Sequence, residues 1–203
     1  MMTWRFTTAA AATLMAPTPA ISAFPSYPTP GTENPLVYDL RASANGDLIA
    51  YFAGSTASFT NVLGLLVNGV DTGITGLNNQ STAPGTALNF GPVSAGDRLT
   101  FYIDVAEIGA RFYSDPSLNE DGINHVYSAP YEGGDFDIPA GLYVAFEDLP
   151  GGGDFNYEDL QFVFSNAFVA SVPEPEQWAL LIAGFALTGA AARRRARVAV
   201  TFA

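Results

Sequence analysis

From Leu36 onward the apolar residues fall in runs of strand length rather than in helical stripes. The runs are Leu36–Tyr38, Leu48–Phe52, Val62–Val67, Leu99–Val105, Tyr143–Phe146 and Leu160–Phe168, and they are rich in Val, Phe, Tyr and Leu. Turn residues separate them: Asn45-Gly46, Asn68-Gly69, Asp71-Thr72-Gly73, Ala95-Gly96-Asp97 and Pro150-Gly151-Gly152-Gly153. Arg98–Asp104 and Gln161–Ser165 alternate apolar with polar positions, which predicts one buried face on each strand. No segment of this body keeps a 3.6-residue apolar stripe for about twelve residues. The pattern predicts one all-β domain over 36–171, a β-sandwich or jelly-roll-like fold whose core comes from alternate residues of two sheets. The polar stretch Asn78–Pro84 reads as a long exposed loop, and the Pro/Ser/Thr/Gly-rich segment 24–35 as a linker or irregular leading strand.

Both ends break this pattern. Residues 1–23 combine one positive charge at Arg5, a mildly apolar middle and small residues before Phe24, the layout of a secretory signal peptide. Cleavage is expected after Ala23, or after Ala20. At the other end, Val172-Pro173-Glu174-Pro175-Glu176-Gln177-Trp178-Ala179 leads into a hydrophobic helix expected over 178–192, followed by Arg193, Arg194, Arg195 and Arg197. About fifteen apolar residues are short for a span that needs about twenty, unless Trp178 sits in one interface and the arginines snorkel at the other. The arginines predict a cytoplasmic C-terminus. Small residues from Ala183 to Ala190 leave a smooth face for another membrane helix, and the prolines around Glu174 keep the preceding peptide extended.

Residues 172–197, with Pro-Glu-Pro, two residues, Trp-Ala, the apolar run and the arginine cluster, resemble the PEP-CTERM sorting tail in its PEPxxWA form. The resemblance implies a Gram-negative bacterium and processing near Pro173-Glu174-Pro175 by an exosortase, a membrane enzyme. An inner-membrane-anchored intermediate would precede delivery to the cell surface or extracellular matrix, often with exopolysaccharide. Export translocon and signal peptidase would be earlier partners. The tail residues would be substrate rather than catalyst.

Charge narrows the partners of the exported part. The chain has net charge −12, twenty acidic residues, eight arginines and no lysine. Of the arginines, Arg41, Arg98 and Arg111 alone lie in the β body. So anionic a domain is unsuited to nucleic acid or anionic lipid. Its carboxylates serve solubility, a halotolerant surface or hard-cation binding. Without cysteine there are no disulfides, thiolate metal sites or thiol nucleophiles.

The densest chemistry lies in Phe146–Asp159. Asp154, Asn156 and Glu158 place oxygens at alternate positions, with Phe155 and Tyr157 on the other side, and Glu147 and Asp148 return across the glycine turn. Ca²⁺ takes six to eight oxygens, and Glu147, Asp148, Asp154, Asn156, Glu158 and Asp159 are candidate ligands. The spacing is not that of an EF-hand, because the sixth position from Asp154 is Asp159 rather than glycine. The competing reading is a solvated acidic hairpin. Asn119 and Asp121 form a second, turn-like candidate pair near His125, the chain's single histidine, a residue more often used for packing than for ligation. Gly133-Gly134-Asp135-Phe136-Asp137 echoes Gly152-Gly153-Asp154-Phe155-Asn156, one local chemistry used twice.

Asn119-x-Asp121-Gly122-x-x-His125-Val126 with the later Phe146-Glu147-Asp148-Leu149, Gly-Gly-Gly-Asp and Asn156-Tyr157-Glu158-Asp159 is similar to the domain family DUF4114 over 114–164. That family occurs in bacterial surface and exported proteins, and its acidic glycine motif is suspected of holding calcium. Glu158 departs from the Asp or Asn often found there. The expected function is non-enzymatic: a calcium-holding β-sandwich with a structural or adhesive role in the envelope or biofilm. A calcium-dependent, lectin-like carbohydrate binder is the alternative. A glycan hydrolase using Glu147 and Glu158 is disfavoured, since no aromatic-lined groove accompanies the carboxylates and no Gly-x-Ser-x-Gly element surrounds a serine.

Overall fold

The computed structural model describes residues 24–170 and helix 175–197, the latter with side chains from Ile182 to Arg193. The expected signal peptide and Val172–Glu174 of the sorting motif lie outside the described residues. Eleven antiparallel strands precede the helix: β1 (Leu40–Ala42), β2 (Gly46–Gly54), β3 (Asn61–Val67), β4 (Val70–Gly76), β5 (Ala87–Val93), β6 (Leu99–Val105), β7 (Ala110–Tyr113), β8 (Val126–Tyr131), β9 (Gly141–Phe146), β10 (Leu160–Ser165) and β11 (Ala167–Val169). They form a five-stranded sheet in the order β5-β2-β10-β9-β8, a four-stranded sheet β4-β3-β6-β7 and a small pair β1-β11.

The two larger sheets face each other across one core. Alternate residues supply it: Leu48, Ala50 and Phe52 of β2, Leu160, Phe162 and Phe164 of β10, Leu63 and Leu65 of β3, and Phe101, Ile103 and Val105 of β6. Phe101 and Phe164 stack across the layer with ring centroids 3.7 Å apart. The all-β reading with antiparallel sheets therefore holds.

Several sequence expectations shift in detail. Leu36 and Val37 are exposed, and the first strand starts at Leu40 instead. The run Leu160–Phe168 is cut into β10 and β11 by Asn166, which has φ of 59°. Asp71-Thr72-Gly73, read as a turn, lies inside β4, because the tight turn is made two residues earlier by Asn68 (φ 52°) and Gly69 (φ 81°). Strands β5, β7 and β8 carry too few contiguous apolar residues to show in the pattern. The loop expected at Asn78–Pro84 is present.

The outer face of the five-stranded sheet carries a second apolar layer of Tyr27, Ala53, Tyr131, Ile138, Tyr143, Ala145, Tyr157 and Val163. Segment 24–35, expected as a linker, is folded onto this layer without regular structure. Phe24 stacks on Tyr131 with centroids 5.0 Å apart, and Tyr27 meets Tyr157 edge-on at 4.7 Å. Asn34 is buried, its amide nitrogen donating to the carbonyl of Val126 and its backbone N–H to the hydroxyl of Tyr157. The last element, α1 (Pro175–Arg197), is a 23-residue helix that starts at Pro175, where proline costs no helical hydrogen bond. Among the described residues, no helix is long and apolar enough to cross a membrane.

Candidate functional site

The connection from β9 to β10 and the turns around it hold the eight candidate ligands, and the structure separates them into three settings. Glu147 directly follows β9 and is 1% exposed. Its Oε1 accepts the backbone N–H of Tyr157, while Oε2 has no hydrogen-bond partner. Gly153 has φ of 55° and ψ of −123°, a conformation that residues with a side chain rarely adopt, and a Cβ there would come within 2.8 Å of that oxygen. Burial, reinforced by the charges of Asp159 and Asp154, pushes the Glu147 carboxyl up to about 7.

Beyond it the chain climbs in two side-chain-stabilised turns. Asp154 Oδ1 accepts the N–H of Asn156 at 3.3 Å, and Asn156 Oδ1 accepts the N–H of Glu158 at 2.8 Å. Phe155 and Tyr157 between them have φ of 51° and 56°, a conformation unfavourable for aromatic residues. The second apolar layer holds them there: Tyr157 is buried, and its hydroxyl donates to the carbonyl of Asn124 at 2.9 Å. The alternation read from the sequence is thus present, with oxygens outward and aromatics inward. The echoed segment has the same backbone signature, Phe136 taking φ of 50° after two positive-φ glycines.

The side chain of Asp148 enters a different setting. It is 3% exposed, and its Oδ2 accepts from Asn61 Nδ2 at 2.7 Å, joining the β9–β10 connection to the first residue of β3 in the other sheet. Its backbone N–H donates to Asp159 Oδ2 at 3.1 Å. Asp159 is half-buried; burial and the neighbouring Asp148 carboxylate push its carboxyl up to about 6. Asn61 is fully buried, with Oδ1 lacking a hydrogen-bond partner. Asn79 and Ser55 complete this setting: Asn79 Oδ1 accepts the N–H of Asn61 at 2.8 Å, and the Ser55 hydroxyl donates to the Asp159 carbonyl. None of Asn61, Asn79 and Ser55 stands out in the sequence, since Asn61 and Asp148 are 87 residues apart.

Asn119 and Asp121 stand in the third setting. The Asn119 side chain accepts the N–H of Tyr113 at 2.7 Å and donates to the carbonyls of Tyr113 and Ile123, so it closes the free edge of β7. Asp121 Oδ2 accepts from the N–H of Gly151 at 2.8 Å and lies 3.1 Å from His125 Nε2. Burial opposes its charge, but the N–H groups of Gly151 and Ile123 and the His125 ring hold its carboxyl below the ordinary range. His125 is fully buried, stacked on Phe112 at 3.9 Å, with Nδ1 3.1 Å from the Glu147 carbonyl. It is a packing residue that links the turn to the start of the β9–β10 connection.

The geometry therefore joins Asp148 and Asp159, keeps Glu147 beside them with a bare oxygen, leaves Glu158 exposed and Asp154 and Asn156 as turn formers, and assigns Asn119 to backbone capping. Among the described residues, no three His, Asp or Glu side chains converge as a metal shell would. The donors gathered here are all oxygens, which suits a hard cation and not a thiolate or imidazole metal. Comparison of the chain with known protein families, with characterised proteins and with solved structures finds no match.

Proposed function

We propose that this is an exported, non-enzymatic β-sandwich protein that holds Ca²⁺ and serves a structural or adhesive role at the cell surface or in the extracellular matrix. The single observation behind the calcium reading is the connection after β9. There Glu147 and Asp148 are both almost fully buried, and Glu147 keeps a carboxylate oxygen with no partner among the described residues. Such a group is costly unless a proton or a cation completes it. Asp148 and Asp159 would hold the ion, with the Glu147 charge beside them and water supplying the remaining oxygens. Bound only by the folded state, calcium at a hundredfold excess over its Kd would contribute about 2.7 kcal/mol, useful to a domain without disulfides. Thermal melting in EDTA and in calcium tests this: a raised midpoint in calcium is expected, and an unchanged one removes the calcium role.

The sorting half of the proposal rests on the resemblance of residues 172–197 to the PEP-CTERM tail. The helix fits that use in one respect: Ile182, Phe185 and Leu187 are exposed, apolar side chains available to lipid or to another membrane helix. The arginines from Arg193 onward would remain cytoplasmic while an exosortase acts near Pro173-Glu174-Pro175. Mass spectrometry of the protein from cells with and without exosortase decides it. Loss of the tail only where the enzyme is present is expected, and an identical C-terminus in both strains excludes the assignment.

A further inference from the structure

We infer that Asn61 is a cation ligand together with Asp148 and Asp159, so that one divalent ion fastens β3 of the four-stranded sheet to the β9–β10 connection of the five-stranded sheet. This rests on the calcium reading above and specifies its donor set. Asn61 is fully buried, and its Nδ2 is spent on Asp148 Oδ2 at 2.7 Å and on the Phe59 carbonyl at 3.2 Å. Its Oδ1 has no hydrogen-bond partner among the described residues. A buried amide oxygen in that state is destabilising, and folded proteins seldom leave one bare without an ion or water to satisfy it.

Charge balance points the same way. Asp148 and Asp159 are linked through the Asp148 N–H, and among the described residues no salt bridge reaches either. The arginines of the β body are engaged elsewhere: Arg41 with Asp39 at 2.9 Å, Arg98 with Asp115 at 2.6 Å, and Arg111 with Asp104 at 2.6 Å and Asp71 at 3.2 Å. His125 faces Asp121. Among the described residues no positive side chain pairs with these two acids, and an external cation is the group that would satisfy both carboxylates and the amide oxygen at once. Half-exposed Asp159 gives the ion a way in. Two carboxylates and one amide make half of an oxygen shell, with waters completing it.

The test compares the full-length protein in detergent with its Asn61→Ala and Asn61→Asp variants, measuring thermal midpoints in EDTA and across a calcium titration. Asn61→Ala is expected to raise the calcium concentration needed for half of the stabilisation by about tenfold or more, as loss of a metal-site residue commonly does. Asn61→Asp is expected to melt lower than the parent in EDTA, where three acids crowd together, and to show a larger calcium shift. If the parent responds to calcium and Asn61→Ala responds at the same concentrations, the assignment of Asn61 is wrong while calcium binding stands. If the parent does not respond, the calcium reading itself falls and takes this one with it. Should Asn61→Ala fail to fold, Asn61→Asp decides alone: a calcium shift no larger than the parent's overturns the proposal.

Discussion

Glu147 combines the two features that make a carboxylate expensive, full burial and an oxygen with nothing to bond. With its carboxyl raised to about 7 and that of Asp159 to about 6, the metal-free folded state takes up more protons than the unfolded chain between the ordinary carboxylate range and pH 7. Stability is then greatest below that range and declines as pH rises through the folded values. In EDTA, the urea midpoint is expected to be higher at pH 5 than at pH 8, and Glu147→Gln should flatten the difference. A midpoint that rises with pH contradicts the account. Asn119 makes a contrasting prediction. Because its side chain satisfies Tyr113 at the edge of β7, Asn119→Ala should cost about 1–3 kcal/mol in urea denaturation while leaving the calcium response intact; a lost response would return Asn119 to the ligand set.

At the scale of the element, the four-stranded sheet is organised around a glycine. Gly64 of β3 lies opposite Tyr102 of β6, whose ring lies flat where a Cβ would stand, 2.1 Å from its nearest ring atom. The Tyr102 hydroxyl donates to Asp71, burial and that bond push its pKa up to about 12, and Arg111 stacks 3.7 Å above the ring while pairing with Asp104. Strands β3, β4, β6 and β7 are thereby tied across one face. Gly64→Ala should displace the ring and loosen these contacts, lowering stability by about 1–3 kcal/mol, as overpacking does. Equal urea midpoints for parent and variant would show that the ring can move freely.

For the whole molecule, the distinctive feature is a five-stranded sheet buried on both sides. The sheet's inner face meets the other sheet, and its outer face is roofed by segment 24–35 and the turns at 131–141 and 147–159. A chain starting at Leu36 would lose Tyr27, Phe24 and the Asn34 hydrogen bonds and uncover Tyr131, Tyr143 and Tyr157. It is expected to lose roughly 3 kcal/mol or more and to enhance the fluorescence of a hydrophobic dye. Unchanged melting and no dye binding would mean that the segment is dispensable.

How much of this was legible depends on the range of the interaction. Period-two alternation is local and strong in β6 and β10, so the all-β class, the Asn68-Gly69 turn and the outward oxygens of 154–158 could be read from residues a few positions apart. The tail's apolar run and arginine cluster are likewise written in contiguous residues. Strands β5, β7 and β8 were not legible, because their burial comes from neighbours rather than from their own hydrophobicity. The role of 24–35 was hidden too: a Pro-rich segment looks the same whether it hangs free or lies on an aromatic face. Most of all, the order of the strands decides the candidate site. Bringing Asn61 beside Asp148, sending adjacent Glu147 and Asp148 into different surroundings and turning Asn119 toward β7 are outcomes of packing two sheets, where the partners are separated by tens of residues and no local pattern links them.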